Sequence, residues 1–493
     1  MSRPLGLFLR SSRRVLPRIL PDRRGYAVDS SQRVSTPRSE KDNHNHAGPS
    51  NSVGRRGRIR EIGEHSVKVN LPTTKPDQNR EEPLVLDYVQ LRDACTCPLC
   101  VDPHSKQRNI RTTDIPGWTK PRSIRWEGTK LVVEWKHDIH GIDQSHVSTY
   151  EADYLRRPKT YSFGSSSPKR QRLLWNREIM EKLQHWITYE DYMNDDAKFA
   201  LAMRILARQG LIFVKDIPDS RDMVERIATR MGPLRNTFYG LTWDVRTVPE
   251  AKNVAYTNQF LGFHMDLMYM KNPPGYQLLH CLKNSCEGGE SLFVDTFDAA
   301  YSLSQFDFKL LTRFNLNYHY EHQDHIYHNT LPVIQVPREG YPSPEKRVIE
   351  HINYSPPFQA PFQTPDSFPV WSMKHDSDMK WSAKLRQYQN ALRAFVKELE
   401  KEERIFELKL KPGECAIFEN RRVAHARRAF DTTTGERWLV GAYVDEDAVL
   451  SRFGVLRRER PEWNDYRKIE TQTSKIARGA KNYYRRVRVE ESE

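Results

Sequence analysis

The chain has 493 residues, with 38% apolar and 11% aromatic residues and a formal net charge of +14. That apolar content excludes wholesale disorder. No run approaches the roughly 18 apolar residues of a membrane-spanning helix, and six cysteines are too few for a disulfide scaffold. The charge sits at the ends: residues 1–60 carry 14 Lys and Arg against 4 Asp and Glu, residues 451–493 carry 12 against 7, and residues 61–450 carry 52 against 53. A neutral body argues against a nucleic-acid-binding core, which would concentrate positive charge in the folded domain.

Residues 1–25 hold seven arginines and one acid, Asp22. At about 100° per residue, Leu5, Phe8, Leu9, Val15, Leu16, Ile19 and Leu20 share one arc, and Arg3, Arg10, Arg13, Arg14 and Arg18 the opposite one, with only Leu7 out of place. This Arg-rich, acid-poor amphipathic composition predicts a mitochondrial transit peptide, cut near Arg24–Tyr26, and a matrix location. Residues 27–57 run through Ser, Asn, His, Gly and Pro without periodicity and predict a linker.

Residues 58–157 predict a small β-rich domain, with short strands at Ser66–Leu71, Ser123–Trp126 and Leu131–Trp135 between turn residues. Residues 171–457 predict a second domain. Asp195–Arg208 has an acid at its start and Gly210 just past its end, which predicts a helix. Strands are predicted at Leu211–Val214, Gln277–Leu282, Ser291–Phe297, Val348–Tyr354, Phe406–Leu410, Cys415–Glu419 and Arg437–Val444. A hairpin is expected to turn at Lys411–Glu414, and a long helix at Ser382–Arg404 interrupts the strands. Strands in succession with few helices point to a sandwich or barrel, mainly β with α, and not to a parallel α/β sheet. Residues 458–493 form a basic tail.

Two constellations carry chemistry. Cys95-Thr96-Cys97-Pro98-Leu99-Cys100 puts three thiolates in one short loop. That set suits structural zinc with one more ligand, for which His104, His137, His140 and His146 are the candidates. The second is His264-Met265-Asp266 with a distant histidine, His425, after the Cys415–Glu419 strand. Two histidines and one carboxylate make the facial triad of non-haem iron(II) oxygenases, which leaves coordination positions open. Arg437, 12 residues on at the start of an apolar strand, suits bidentate pairing with a carboxylate. An ordered set of this kind is what a 2-oxoglutarate-dependent oxygenase requires.

With these residues in place, the chain resembles the γ-butyrobetaine dioxygenase / trimethyllysine dioxygenase family over about residues 85–457. The shared motifs are Cys95–Cys100, His146–Leu155, Thr237–Trp243, Asn253–Thr257, His264–Asp266, Pro273–Leu282, Gly288–Asp295 and Asn420–Arg428 running into Gly441–Tyr443. The resemblance implies a double-stranded β-helix (jelly-roll) catalytic domain behind a zinc-binding domain. It implies zinc on Cys95, Cys97, Cys100 and His146, and iron on His264, Asp266 and His425. It implies 2-oxoglutarate held by Arg437 with Asn253, with ascorbate as reductant. It implies a small trimethylammonium substrate together with O2; the neutral body and the lack of a long apolar run predict neither a nucleic-acid partner nor a transmembrane segment. A homodimer is compatible with the sequence.

A quaternary ammonium donates no hydrogen bond and is recognised by aromatic faces. The family's cage positions here are Tyr239, Trp243, Tyr256 and Tyr443, all aromatic. The TFYGLTW form is closer to the butyrobetaine branch, which predicts conversion of γ-butyrobetaine to L-carnitine. The rival substrates are N6-trimethyllysine and other trimethylammonium compounds. A rival of another class is a non-catalytic mitochondrial binding protein that keeps the fold. One departure stands out: the family's paired Asn motif is replaced by Ser355-Pro356, which removes two amide side chains and one backbone N–H.

Overall fold

The computed structural model describes residues 57–72, 82–142, 145–156, 172–246, 258–322, 324–337, 347–362 and 381–464. The expected transit peptide, most of the linker and most of the basic tail lie outside them, as do Asn253 and Tyr256. The chain divides into two units, Met1–Lys159 and Thr160–Glu493.

In the first unit, short strands that turn alternate apolar residues inward build two three-stranded antiparallel sheets. Arg58–Ile62, Ser66–Asn70 and Leu84–Asp87 form one; Lys120–Glu127, Lys130–His137 and Val147–Glu151 form the other. Val67, Val69, Leu131, Val133, Trp135 and Tyr150 point inward and share one core. Asp87 caps the short helix Tyr88–Asp93, accepting from the Val89 and Gln90 amides, and that helix delivers the chain to the cysteine loop.

The second unit holds two antiparallel sheets face to face, with one parallel pair at an edge. The six-stranded sheet runs in the order Trp186–Thr188, Leu211–Lys215, Glu414–Glu419, Tyr276–Asn284, Arg437–Val444, Thr242–Val245. The four-stranded sheet runs Leu261–His264, Val423–Arg427, Ser291–Asp295, Phe406–Leu408. Leu211–Lys215, Glu414–Glu419 and Arg437–Val444 of the larger sheet read as near-continuous apolar runs because both their faces are buried. Ile212, Val214, Ile417, Val440 and Ala442 pack under the helices Asp196–Gln209, Met223–Met231 and Glu446–Glu459. Phe213, Ala416, Phe418 and Leu439 point the other way, onto Phe293, Phe406 and Val423 of the smaller sheet. Asp195 caps the first of these helices and Gly210, at φ +77°, ends it in the left-handed region. Among the described residues no helix is long and apolar enough to cross a membrane.

Several expected elements differ. Lys411–Glu414 is a turn, with the Glu414 N–H donating to the Lys411 carbonyl, but it does not close a hairpin. The strands on either side of it, Phe406–Leu408 and Glu414–Glu419, belong to different sheets, so Pro412-Gly413 carries the chain across the sandwich. The strand at Ser291 stops at Asp295, whose carboxylate caps the helix Thr296–Tyr301. Of Val348–Tyr354 only His351–Ile352 pairs, with Ile334–Gln335, and Asn353 turns its side chain to the Pro332 carbonyl and to Arg421. The long helix spans Trp381–Leu399, and Glu402–Arg404 is a separate 3-10 turn. A long hairpin, Asn315–His322 with His325–Pro332, was not anticipated.

Candidate iron and zinc centres

His264 ends its strand and lies directly opposite His425 on the neighbouring one, and His425 in turn lies opposite Phe293. The chain leaves the sheet at Met265, whose N–H donates to the Tyr354 carbonyl at 2.9 Å. Asn420 then clamps the next residue. Its Oδ1 accepts from the Asp266 N–H at 2.8 Å, and its Nδ2 donates to the Asp266 and Pro274 carbonyls, both at 3.0 Å. Leu267 follows at φ +60°, a strained conformation for a leucine, which turns the backbone sharply beneath the carboxylate.

The ligand-type atoms of His264, Asp266 and His425 all lie within 4.8 Å of one another. His264 Nδ1 donates to the Gly262 carbonyl at 2.8 Å, which leaves Nε2 as the lone-pair nitrogen, 3.4 Å from Asp266 Oδ1. The His425 ring centroid is 4.2 Å from that of His264. Burial, reinforced by His264, pushes the His425 imidazole down to about 3, so it is neutral at pH 7, the form that binds a metal. Burial acts to raise Asp266, but the neighbouring His264 and His425 rings and the Tyr443 hydroxyl hold it well below the usual carboxylate range. Nδ1 of His425 is buried without a hydrogen-bond partner among the described residues. Two histidines and an ionised carboxylate converging in this way suit a divalent iron ion.

A cavity between the two sheets is lined by these three residues together with Trp243, Arg427 and Arg437. Arg437 is 9% exposed, and burial depresses its pKa. Among the described residues it has no ion-pair partner and its Nε makes no hydrogen bond. A buried guanidinium without a counter-charge is costly. Gly289, at φ +73°, leaves room for it, since a Cβ there would lie 3.1 Å from Arg437 Cδ. Arg427, quoted in the sequence only as part of a motif, also lines the cavity, and both guanidiniums lie over Phe430 at 5.0 and 5.5 Å. Two buried cations beside a metal-type triad fit a dicarboxylate.

Of the four aromatic positions, Tyr239, Trp243 and Tyr443 fall around the same site and Tyr256 lies outside the described residues. Trp243 stacks on Tyr443 with ring centroids 4.0 Å apart, and the Tyr443 hydroxyl donates to Asp266 Oδ2 at 2.6 Å. Tyr239 is half-buried against Phe238, at 4.1 Å. Beyond it runs an unanticipated aromatic wall of Phe238, Tyr269, Tyr320, Tyr327 and Phe358. Phe358 lies just past Ser355-Pro356, so the stretch where the family carries amides contributes a phenyl ring instead. Ser355 is buried and its Oγ has no partner among the described residues. Asn353 is consumed structurally: it accepts from Arg421 and donates to the Pro332 carbonyl at 2.7 Å.

In the first unit, His146 Nε2 lies 3.5, 3.3 and 3.5 Å from the Sγ atoms of Cys95, Cys97 and Cys100. A tetrahedron with Zn–S of about 2.3 Å and Zn–N of about 2.0–2.1 Å has N···S edges of roughly 3.6 Å, so the set fits zinc. His146 Nδ1 donates to Asp138 Oδ2 at 2.6 Å, which orients the ring. Arg92, fully buried, bonds Asp138 and reaches Cys100 Sγ at 3.3 Å, placing a positive charge beside the three sulfurs. His104, His137 and His140 are not in the cluster.

Residues 177–443 match the family described as taurine catabolism dioxygenase TauD, TfdA family. The chain is 32% identical over 389 residues to "Dioxygenase str8" of Strobilurus tenacellus, covering 74% of this chain and 84% of that protein. It is 29% identical over 379 residues to mitochondrial trimethyllysine dioxygenase of Homo sapiens, covering 75% and 82%. It is 27% identical over 394 residues to gamma-butyrobetaine dioxygenase of Homo sapiens, covering 77% and 92%.

Proposed function

Because the chain belongs to the taurine catabolism dioxygenase TauD, TfdA family and is a 2-oxoglutarate-dependent dioxygenase, we propose that it hydroxylates a small trimethylammonium compound, with γ-butyrobetaine, giving L-carnitine, as the first candidate. The observation that carries the site reading is Arg437: a buried guanidinium without an ion-pair partner among the described residues, in one cavity with His264, Asp266 and His425.

In this reading His264, Asp266 and His425 hold iron(II), and Arg437, with Asn253, holds 2-oxoglutarate. When bound, iron with O2 and 2-oxoglutarate supplies the oxidising power to insert one oxygen atom into a C–H bond, the cosubstrate leaving as succinate and CO2. The chain's own part is placement. Arg437 fixes the far carboxylate of the cosubstrate, and Leu261, Leu279, Phe293 and Leu439 line the same cavity and limit water. Tyr239, Trp243, Tyr256 and Tyr443 supply the aromatic surroundings for the cation. Cys95, Cys97, Cys100 and His146 hold a structural zinc with no open position for chemistry. The mitochondrial designation of the trimethyllysine relatives supports a mitochondrial location, with the matrix as the proposed compartment.

N6-trimethyllysine is the second reading. It is favoured by the slightly higher identity to trimethyllysine dioxygenase. The test is succinate formation with Fe(II) and ascorbate across a panel of trimethylammonium acids. Succinate coupled to γ-butyrobetaine hydroxylation supports the first candidate. Coupling only to another member reassigns the substrate, and no coupled turnover by folded, iron-loaded protein ends the trimethylammonium reading.

A further inference from the structure

We propose that Tyr443 is a positioning residue for the iron ligand Asp266, acting through its hydroxyl rather than only as an aromatic face for the substrate. The inference rests on the reading that His264, Asp266 and His425 hold iron(II).

Tyr443 stands on the strand Arg437–Val444, opposite Gln277, and is buried. Trp243 covers one face of its ring at 4.0 Å with the planes 25° apart, so the ring is held in place. The phenol thus aims at Asp266 Oδ2, 2.6 Å away, short enough for a charge-assisted hydrogen bond.

The other degrees of freedom of Asp266 are already restrained. Asn420 holds its backbone N–H and carbonyl, and Leu267 fixes the turn that follows. With Oδ2 tied to Tyr443, Oδ1 is the oxygen turned toward His264 Nε2, at 3.4 Å. The hydroxyl therefore selects which oxygen the metal meets and from which direction. Partners of this kind typically account for 10–100-fold in metal affinity. A cage wall, by contrast, uses only the π face, which phenylalanine also has. One bond thus links the aromatic pair Trp243–Tyr443 to the carboxylate that completes the metal site.

The test is an anaerobic titration of metal-free wild type, Tyr443→Phe and His264→Ala with Fe(II) in the presence of 2-oxoglutarate. It follows the charge-transfer absorption of the ternary complex, with thermal unfolding of the metal-free proteins as the check on folding. Wild type is expected to bind and His264→Ala not to bind. Tyr443→Phe is expected to bind about 10–100-fold more weakly, with a displaced band, and its KM for the trimethylammonium substrate to change less than its metal affinity. Equal affinity and an identical band in wild type and Tyr443→Phe overturn the proposal. Failure of wild type to bind overturns the iron reading instead. Should Tyr443→Phe not fold, 3-fluorotyrosine at position 443, which keeps ring and hydroxyl but alters the hydrogen bond, is expected to displace the band; an unmoved band overturns the proposal.

Discussion

Trp243 lies flat on Tyr443, 4.0 Å between ring centroids, because Gly441 has no side chain to stop it. Gly441 is the register partner of Trp243 on the adjacent strand, and a Cβ there would sit 2.3 Å from Trp243 Cζ2. No cation fits between two rings so stacked. The four expected cage positions therefore do not form a box with Trp243 and Tyr443 as opposite walls. These two make one thick wall, and the cation must meet an outer face or edge of it.

Gly441→Ala should therefore damage the site from a position that touches no ligand. The indole has Tyr443 on one side and the strand on the other, so it cannot give way cheaply. Overpacking of this kind costs about 1–3 kcal/mol. The expected outcome is a lower thermal midpoint and a raised KM for the substrate, with the stability loss largely relieved in Gly441→Ala/Trp243→Leu. A single variant as stable and as active as wild type would show that the stack is not held this way.

Recognition by aromatic faces predicts a difference between charged and neutral ligands of one shape. A trimethylammonium compound and its tert-butyl isostere bury the same area but differ in charge. Cation–π attraction is worth about 0.5–2 kcal/mol, or roughly 2- to 30-fold in affinity. Competition assays should show that preference for the cation in wild type and a reduced preference in Trp243→Leu and Tyr239→Leu. If wild type binds both isosteres equally, a hydrophobic pocket and not a cation site is present.

How much of this was legible in the sequence depends on the range of the physics. Leu211–Lys215 and Arg437–Val444 were legible because strands buried on both faces are continuous apolar runs. Asn315–His322 and His325–Pro332 were not, since NLNYHYEH and HIYHNTLP keep polar residues on an exposed face and resemble loop sequence. Ser291–Phe297 was extended too far because Phe297 continues the apolar run, while Asp295 had already begun a helix. His264, Asp266, His425 and Arg437 carry residue types and an order that name their chemistry. Asn420 and Tyr269 do not: the bond from Asn420 to Asp266 spans 154 residues, and no local pattern encodes it. Ser355-Pro356 was visible as a departure, but that Phe358 would turn its ring onto Tyr269 at 5.0 Å is a fact of packing.

Arg437 should control the cosubstrate and little else. Truncating one member of a buried, hydrogen-bonded charge pair costs about 2–5 kcal/mol, so Arg437→Gln is expected to raise the KM for 2-oxoglutarate at least about 30-fold. Arg437→Lys should not restore it, because an ammonium lacks the planar fork that matches a carboxylate. Anaerobic binding of 2-oxoglutarate to the iron-loaded variants separates affinity from turnover. An unchanged KM in Arg437→Gln would move the carboxylate site elsewhere, with Arg427 the next guanidinium in the cavity.

The cysteine loop of the first unit should stand or fall with one metal ion. That loop packs a small satellite core of Ile110, Ile115 and Ile139 around Cys95 and Cys100, edged by the partly buried Val89, Val101 and Ile142, too little apolar area to order it alone. Arg92 is fully buried with its charge set against Asp138 and Cys100. Without a metal to hold the sulfurs together, the group of Arg92, Asp138 and His146 loses its anchor. Purified protein is expected to carry one zinc per chain by elemental analysis. Stripping it with a strong chelator should lower the unfolding transition of this unit, and adding zinc back should restore it. Cys97→Ser should reproduce the loss permanently, since a hydroxyl is a poor zinc ligand. Because the four ligands leave no open position, the iron- and 2-oxoglutarate-dependent thermal shift of the second unit should survive chelation once Fe(II) is resupplied. Protein that is free of zinc as purified, yet melts as before, would show that hydrogen bonds alone hold the cluster.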